Sequence, residues 1–94
     1  MSQLPLPFTV LDQAKDIIYG DREQTYGDPG KNFRCIAMMW NAYLRNRFGF
    51  EGNLVEKDVC YLMTLLKVAR LANNPEHDDS ILDGIGYLAN ADRV

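Results

Sequence analysis

Ninety-four residues make one domain, and a chain this short is often marginal alone, so self-association would help it. Apolar residues are 47% and charged residues 24%, with a net charge of −3 and a pI near 4.9. That balance argues against broad nucleic-acid binding and attraction to anionic membranes, both of which need clustered positive charge, and leaves room for a local basic patch. The opening MSQLPLPFTV lacks a basic region and a long apolar core, so no signal peptide is read and a cytoplasmic setting is expected. Cys35 and Cys60 both fall on apolar helical runs without C-x-x-C spacing, which predicts two reduced core thiols.

Residues 1–8 carry two prolines and read as an extended arm, whose Leu4, Leu6 and Phe8 could lie along a groove of this subunit or a neighbour. Thr9 with Asp12 resembles a helix start. Val10, Leu11, Ala14, Ile17 and Ile18 recur at helical spacing, which predicts a first helix over 9–20 with Gly20 as its stop. After a polar loop, Asp28 is a good N-cap and Pro29 suits the first helical position, where a missing N–H costs nothing. The second helix is expected over 29–47, with Phe33, Ile36, Ala37, Trp40, Tyr43 and Leu44 turned inward. Gly49, Gly52 and Asn53 make the next turn.

The third helix, expected over 54–73, dominates the pattern. Val59 to Leu66 reads V-C-Y-L-M-T-L-L, with no polar face until Lys67. A helix apolar all round must be covered all round. Charges at Glu56, Lys57, Asp58, Lys67 and Arg70 leave too short an uncharged run for a membrane span. Asn53 followed three residues later by Glu56 reads as a capping box. Asn73-Asn74-Pro75 breaks the chain, and a fourth helix follows over 78–92, with Ile81, Leu82, Ile85, Leu88 and Ala89 on its apolar side. Gly84 and Gly86 inside it cost roughly 1 kcal/mol each against alanine, which suggests close packing on a neighbouring backbone. No strand signal of useful length is present. The fold expected is all-α: a bundle of four helices around a buried third one.

Chemistry-bearing residues gather where the third helix ends and the fourth begins. Asp79 and Asp83 stand four apart, on one helical face, with Asn90 further along it. Such a pair can hold a Mg²⁺ that also grips a phosphate, although Asp78 and Asp79 equally suit a helix start. Lys67 and Arg70 complement the dipole at a helix end, pair with those acids, or bind an anion: three readings that remain open. His77 is the one histidine, a loop hydrogen-bonder, a general base or a ligand. No phosphate-binding NTPase loop, zinc-protease motif or nucleophile elbow is present, so no catalytic residue is assigned.

Arg22, Tyr26-Gly27-Asp28-Pro29 with Asn32-Phe33, Lys67 with Arg70, and His77, Asp79-Ser80, Asp83, Gly86-Tyr87 together resemble a family of small bacteriophage and prophage proteins. Its pattern is YGDP-x-x-NF, then K-x-x-R-L, then H-x-DS-x-x-D-x-x-GY. The resemblance covers residues 11–90 and implies a phage origin but no activity. Asp83 with Tyr87 is more distantly similar to the last motif of the MazG-like all-α nucleoside triphosphate pyrophosphohydrolases, oligomers whose helical acids hold Mg²⁺. Ser80 stands where those enzymes carry a glutamate, and no E-E-x-x-E precedes it. Binding a nucleotide without cleaving it needs fewer residues.

Two functions are therefore expected of different classes. In one, Lys67, Arg70, His77 and Tyr87 bind a nucleotide-like anion, with Mg²⁺ on Asp79 and Asp83, by sequestration or weak hydrolysis. In the other, a non-enzymatic module inhibits a host defence protein through a surface patch. A homo-oligomer is expected in either case.

Overall fold

The computed structural model describes residues 10–19 and 29–94, the side chains of 16–19, 29 and 78 aside. The described residues form four α-helices and no strand: α1 (Val10–Tyr19), α2 (Pro29–Phe48), α3 (Glu56–Asn73) and α4 (Asp78–Ala91). Every helix end falls within two residues of its sequence expectation. The arm at 1–8 and the segment Tyr26-Gly27-Asp28 lie outside the described residues, and with them Arg22, Thr9, and the stop and cap assigned to Gly20 and Asp28.

α2 ends because Gly49 takes φ +66, a left-handed conformation that glycine adopts without a side-chain clash. Its N–H donates to the Arg45 carbonyl at 3.0 Å. The chain then turns sharply, and the Phe50 ring fills the space that a Gly52 side chain would need. The elbow is clamped by Asn41, which is only 4% exposed on the inner side of α2. Its Oδ1 accepts from the Leu54 N–H at 2.8 Å, and its Nδ2 donates to the Leu54 carbonyl at 3.0 Å and to Asn53 Oδ1 at 3.2 Å. Arg45 adds donations to the Gly52 carbonyl and Asn53 Oδ1, each at 3.1 Å.

Asn53 is thus spent on the elbow and does not cap α3. The N-cap is Val55, whose N–H donates to Asp58 Oδ2 at 2.8 Å. Only the returning half of a capping box is made, because valine has no side-chain acceptor to offer. The Asn53–Glu56 box read from the sequence gives way to this arrangement two residues on.

The core gathers where α2, α3 and α4 meet: Phe33, Ala37, Val59, Cys60 and Ala91 are buried, and Ile36, Trp40, Leu54, Met63, Tyr87 and Val94 pack around them. α1 lies against α4, with Ala14 buried, and α3 runs between α2 and α4. Thr64 is accommodated in the apolar run because its Oγ1 donates to the Cys60 carbonyl one turn back, at 2.8 Å.

Among the described residues α3 is central but covered on one side only. Val59 and Cys60 are fully buried, whereas Tyr61, Leu62, Leu65, Leu66 and Val68 are 42–61% exposed. Other expected core positions also turn outward. Tyr43 is 61% exposed and meets Phe48 edge-on, and Ile81 and Leu88 are exposed on α4. Cys35 is exposed rather than a core thiol, while burial pushes the Cys60 thiol pKa up. The glycines of α4 do not mark close packing. A Cβ at Gly84 would meet the Lys67 Cβ at an ordinary 3.8 Å, and one at Gly86 would meet nothing within 4 Å.

Two outcomes follow from these contacts. Asn41→Leu leaves the Leu54 N–H and carbonyl unmatched, and urea denaturation should show a loss of about 2–3 kcal/mol; an unchanged midpoint would mean that the elbow is held by other bonds. A thiol reagent should modify Cys35 at once and Cys60 only as the chain unfolds. Mass spectrometry of the labelled protein reads both rates.

Candidate functional site

α4 begins at a cap that the sequence leaves ambiguous. His77 occupies the N-cap position, and its Nδ1 accepts from the Ser80 N–H at 3.1 Å. Ser80 Oγ lies 2.9 Å from the same nitrogen, and Ser80 is 1% exposed. An Nδ1 that accepts from the Ser80 N–H carries no proton of its own. Of the three readings of His77, the geometry gives it the hydrogen-bonding one. It also explains Ser80: this residue fills the cap and is not placed as a metal ligand.

The turn before it is short. The Asn74 N–H donates to the Arg70 carbonyl at 2.9 Å, and the His77 N–H to the Asn74 carbonyl at 3.1 Å. This folds α4 back against α3. Lys67 Nζ then lies 3.2 Å from Asp83 Oδ2, with the two side chains 12% and 36% exposed. Of the three readings for Lys67, the salt bridge is made. Lys67 buries its aliphatic stem along α4 and keeps its charge on the acid.

This pair sets the register of the hairpin. With residue 67 opposite 83, residue 70 stands level with 79–80, residue 63 with 87, and residue 60 with 90. Arg70 and Asp79 are both exposed at the open end, and neither side chain has a bonding partner among the described residues. Tyr87 is half-buried and its ring packs at 48° on Phe33, centroids 6.2 Å apart. That contact joins the start of α2 to the middle of α4. Tyr87 therefore does structural work as well as lining the seam.

Asp79, Asp83, Gly86 and Asn90 follow one another at three- and four-residue steps, so they share a face of α4. Asn90 Oδ1 is buried and has no hydrogen-bond partner among the described residues. A buried acceptor left unmatched costs roughly 1–3 kcal/mol. Gly86 stands one turn before it on this face, and among the described residues nothing lies within 4 Å of where a Cβ there would be. Spacing alone puts Asn90 on the face, but nothing in the sequence signals that its oxygen is left without a donor. Among the described residues no three His, Cys, Asp or Glu side chains come together as a metal cage. Mg²⁺ does not require one: it is commonly held by one or two carboxylates, waters and the phosphates of its substrate.

A domain family described as "Domain of unknown function (DUF6378)" matches residues 9–94. The chain belongs to that family. The Gene 55 protein of Mycobacterium phage D29 is 35% identical over 86 residues, 92% of this chain and 53% of the relative. The Gene 55 protein of Mycobacterium phage L5 is 42% identical over 79 residues, 84% of this chain and 47% of the relative. The chain thus spans about half the length of the curated relatives it matches, and both are bacteriophage proteins, in keeping with the phage resemblance of its motifs. No solved structure matches. No described helix is long and apolar enough to cross a membrane.

The Lys67–Asp83 pair is only partly withdrawn from water, so its strength should be modest. A double-mutant cycle with Lys67→Met and Asp83→Asn should give a coupling of about 0.5–1 kcal/mol in thermal or urea unfolding. The coupling should shrink as salt is raised. A coupling of zero would mean that the two charges lie side by side without holding the hairpin.

Proposed function

We propose that the protein of this phage family binds a nucleotide-like anion along the α3–α4 seam, as its Mg²⁺ complex, and sequesters it without hydrolysis. The observation that carries the reading is the buried Asn90 Oδ1, without a hydrogen-bond partner among the described residues and on the same face of α4 as Asp83 and Gly86. That oxygen is closed to solvent as it stands, and it takes a donor such as a sugar hydroxyl or base amine once the seam parts. Lys67 has three N–H donors and uses one on Asp83, so two remain for phosphate oxygens. Arg70 adds an unengaged fork one turn on, with His77 holding the start of α4 beside it.

Charge balance decides the role of the metal. Lys67 and Arg70 are offset by Asp79 and Asp83, so the seam offers no net attraction to a bare anion. A Mg²⁺ held on the Asp83 and Asp79 carboxylates and on phosphate oxygens restores that attraction. Hydrolysis asks for more: a further carboxylate to position water, which the glutamate position of the MazG-like motif does not supply here, since Ser80 is buried in the cap.

Calorimetry against mono-, di- and triphosphate nucleotides and cyclic dinucleotides, with and without Mg²⁺, tests this. Binding is expected only with the metal and with no product formed. Asp83→Asn should weaken it at least tenfold, and Asn90→Leu should weaken it while raising the stability of the free chain. Absence of binding at millimolar nucleotide with Mg²⁺ present would overturn the reading.

The second reading, a module that inhibits a host defence protein, draws support from α2. Met38, Met39, Tyr43 and Phe48 are 59–65% exposed there. Flexible methionines are frequent on surfaces that accept protein partners. Under this reading Met39→Glu abolishes capture of a host protein while Asp83→Asn leaves it intact.

A further inference from the structure

The described core is small for a chain that is 47% apolar. Its buried hydrophobic residues are Ala14, Phe33, Ala37, Val59, Cys60 and Ala91, three of them alanines. Meanwhile α3 presents Tyr61 at 47%, Leu62 at 42%, Leu65 at 61%, Leu66 at 45% and Val68 at 53% exposure. These residues are not scattered. Tyr61, Leu65, Val68 and Ala72 recur at i, i+4, i+7 and i+11, and Leu62, Leu66 and Ala69 run beside them. That is the spacing of a seam that packs against another helix, over three turns or about 16 Å. The stripe faces away from the side that carries Lys67, so it lies apart from the anion seam.

Its size is decisive. Side chains about half exposed, at roughly 200 Å² for each large residue, leave on the order of 500 Å² of apolar surface. That is near the upper end of the largest patch on an ordinary monomer, about 300–600 Å². With its polar rim it approaches the roughly 800 Å² that each partner contributes to a stable interface. We propose that this face of α3 is covered by the same face of a second copy of the chain, the two α3 helices running antiparallel about a two-fold axis near Leu65.

The ends of α3 set the direction. The first turn carries Glu56, Lys57 and Asp58 and the last Arg70, and steps of about 100° per residue put Glu56 and Arg70 on the far side of the helix from Leu65, so no ion pair is needed between the copies. An antiparallel copy opposes the two helix dipoles, whereas a parallel copy would align them. Between those ends, from Val59 to Leu66, the helix carries no charge that a copy would have to bury unpaired. A two-fold interface is self-complementary, and Leu65, the most exposed residue of the stripe and near its middle, meets its own counterpart there. Assembly of this kind completes the covering that the sequence demands of α3 and that the described residues do not provide.

Size-exclusion chromatography with light scattering on the full chain, at micromolar concentration, should report twice the 10.7 kDa chain mass. Leu65→Lys should reduce that mass to one chain. Should Leu65→Lys fail to fold, the milder Leu65→Cys in a Cys35→Ser background decides. In a two-fold pair centred on that residue it should oxidise to a disulfide-linked dimer, visible on a non-reducing gel, whereas Lys57→Cys in the same background should not. A wild-type chain of single mass, with the face bare or covered by its own residues, overturns the proposal. So does a dimer that persists in Leu65→Lys, or one in which Leu65→Cys forms no cross-link. None of these outcomes depends on whether a nucleotide binds, so this inference and the anion reading fail separately.

Discussion

The packing of α4 against α3 is the constraint on which the described structure turns. Val59, Cys60 and Ala91 share one buried cluster, Met63 and Tyr87 pack against it, and Lys67 reaches Asp83 at the height this packing dictates. Slide one helix by a turn, about 5 Å, and the Lys67 ammonium and the Asp83 carboxylate would part. The ion pair contributes little energy by itself. Its value is in register: it makes one alignment of two apolar helices preferable to its neighbours. Everything that gives the seam chemical character, including the exposed pair Arg70 and Asp79 and the unmatched Asn90 oxygen, inherits its position from that alignment.

The sequence carried the elements well and their environment less well. Helix ends were legible because their signals are local: Pro29 at a first turn, Gly49 past a last one, and the acids and histidine before Ser80. The capping of α3 was legible only in part. Asn53 has the chemistry of a cap, but Asn41 competes for it from twelve residues away, and that bond belongs to tertiary structure. Asn41 itself gave no sign. An asparagine among apolar neighbours on a helix is read as exposed until the elbow it clamps is known.

Burial was hardest to read, and for a physical reason. Periodicity reports which side chains avoid water, not which molecule shields them. Tyr43, Cys35, Leu65 and Leu88 sit on apolar stretches, and the chain by itself leaves them exposed. The candidate site shows the same division. Spacing put Asp79, Asp83 and Asn90 on one face and Lys67 near Arg70. It could not decide that Lys67 would bind Asp83 while Arg70 stayed unengaged, because that depends on the tilt and height of two packed helices. The span of the phage relatives adds a further boundary, since about half of each lies beyond the match.

The elbow between α2 and α3 ties two positions together. Because the Phe50 ring occupies the volume that any side chain at position 52 would claim, a bulkier residue at 52 is admissible only if the aromatic at 50 swings aside or is replaced by something smaller. Substitutions at these sites should therefore occur jointly in family members that keep the bend. A relative that carries large residues at both has to route its backbone differently between these helices.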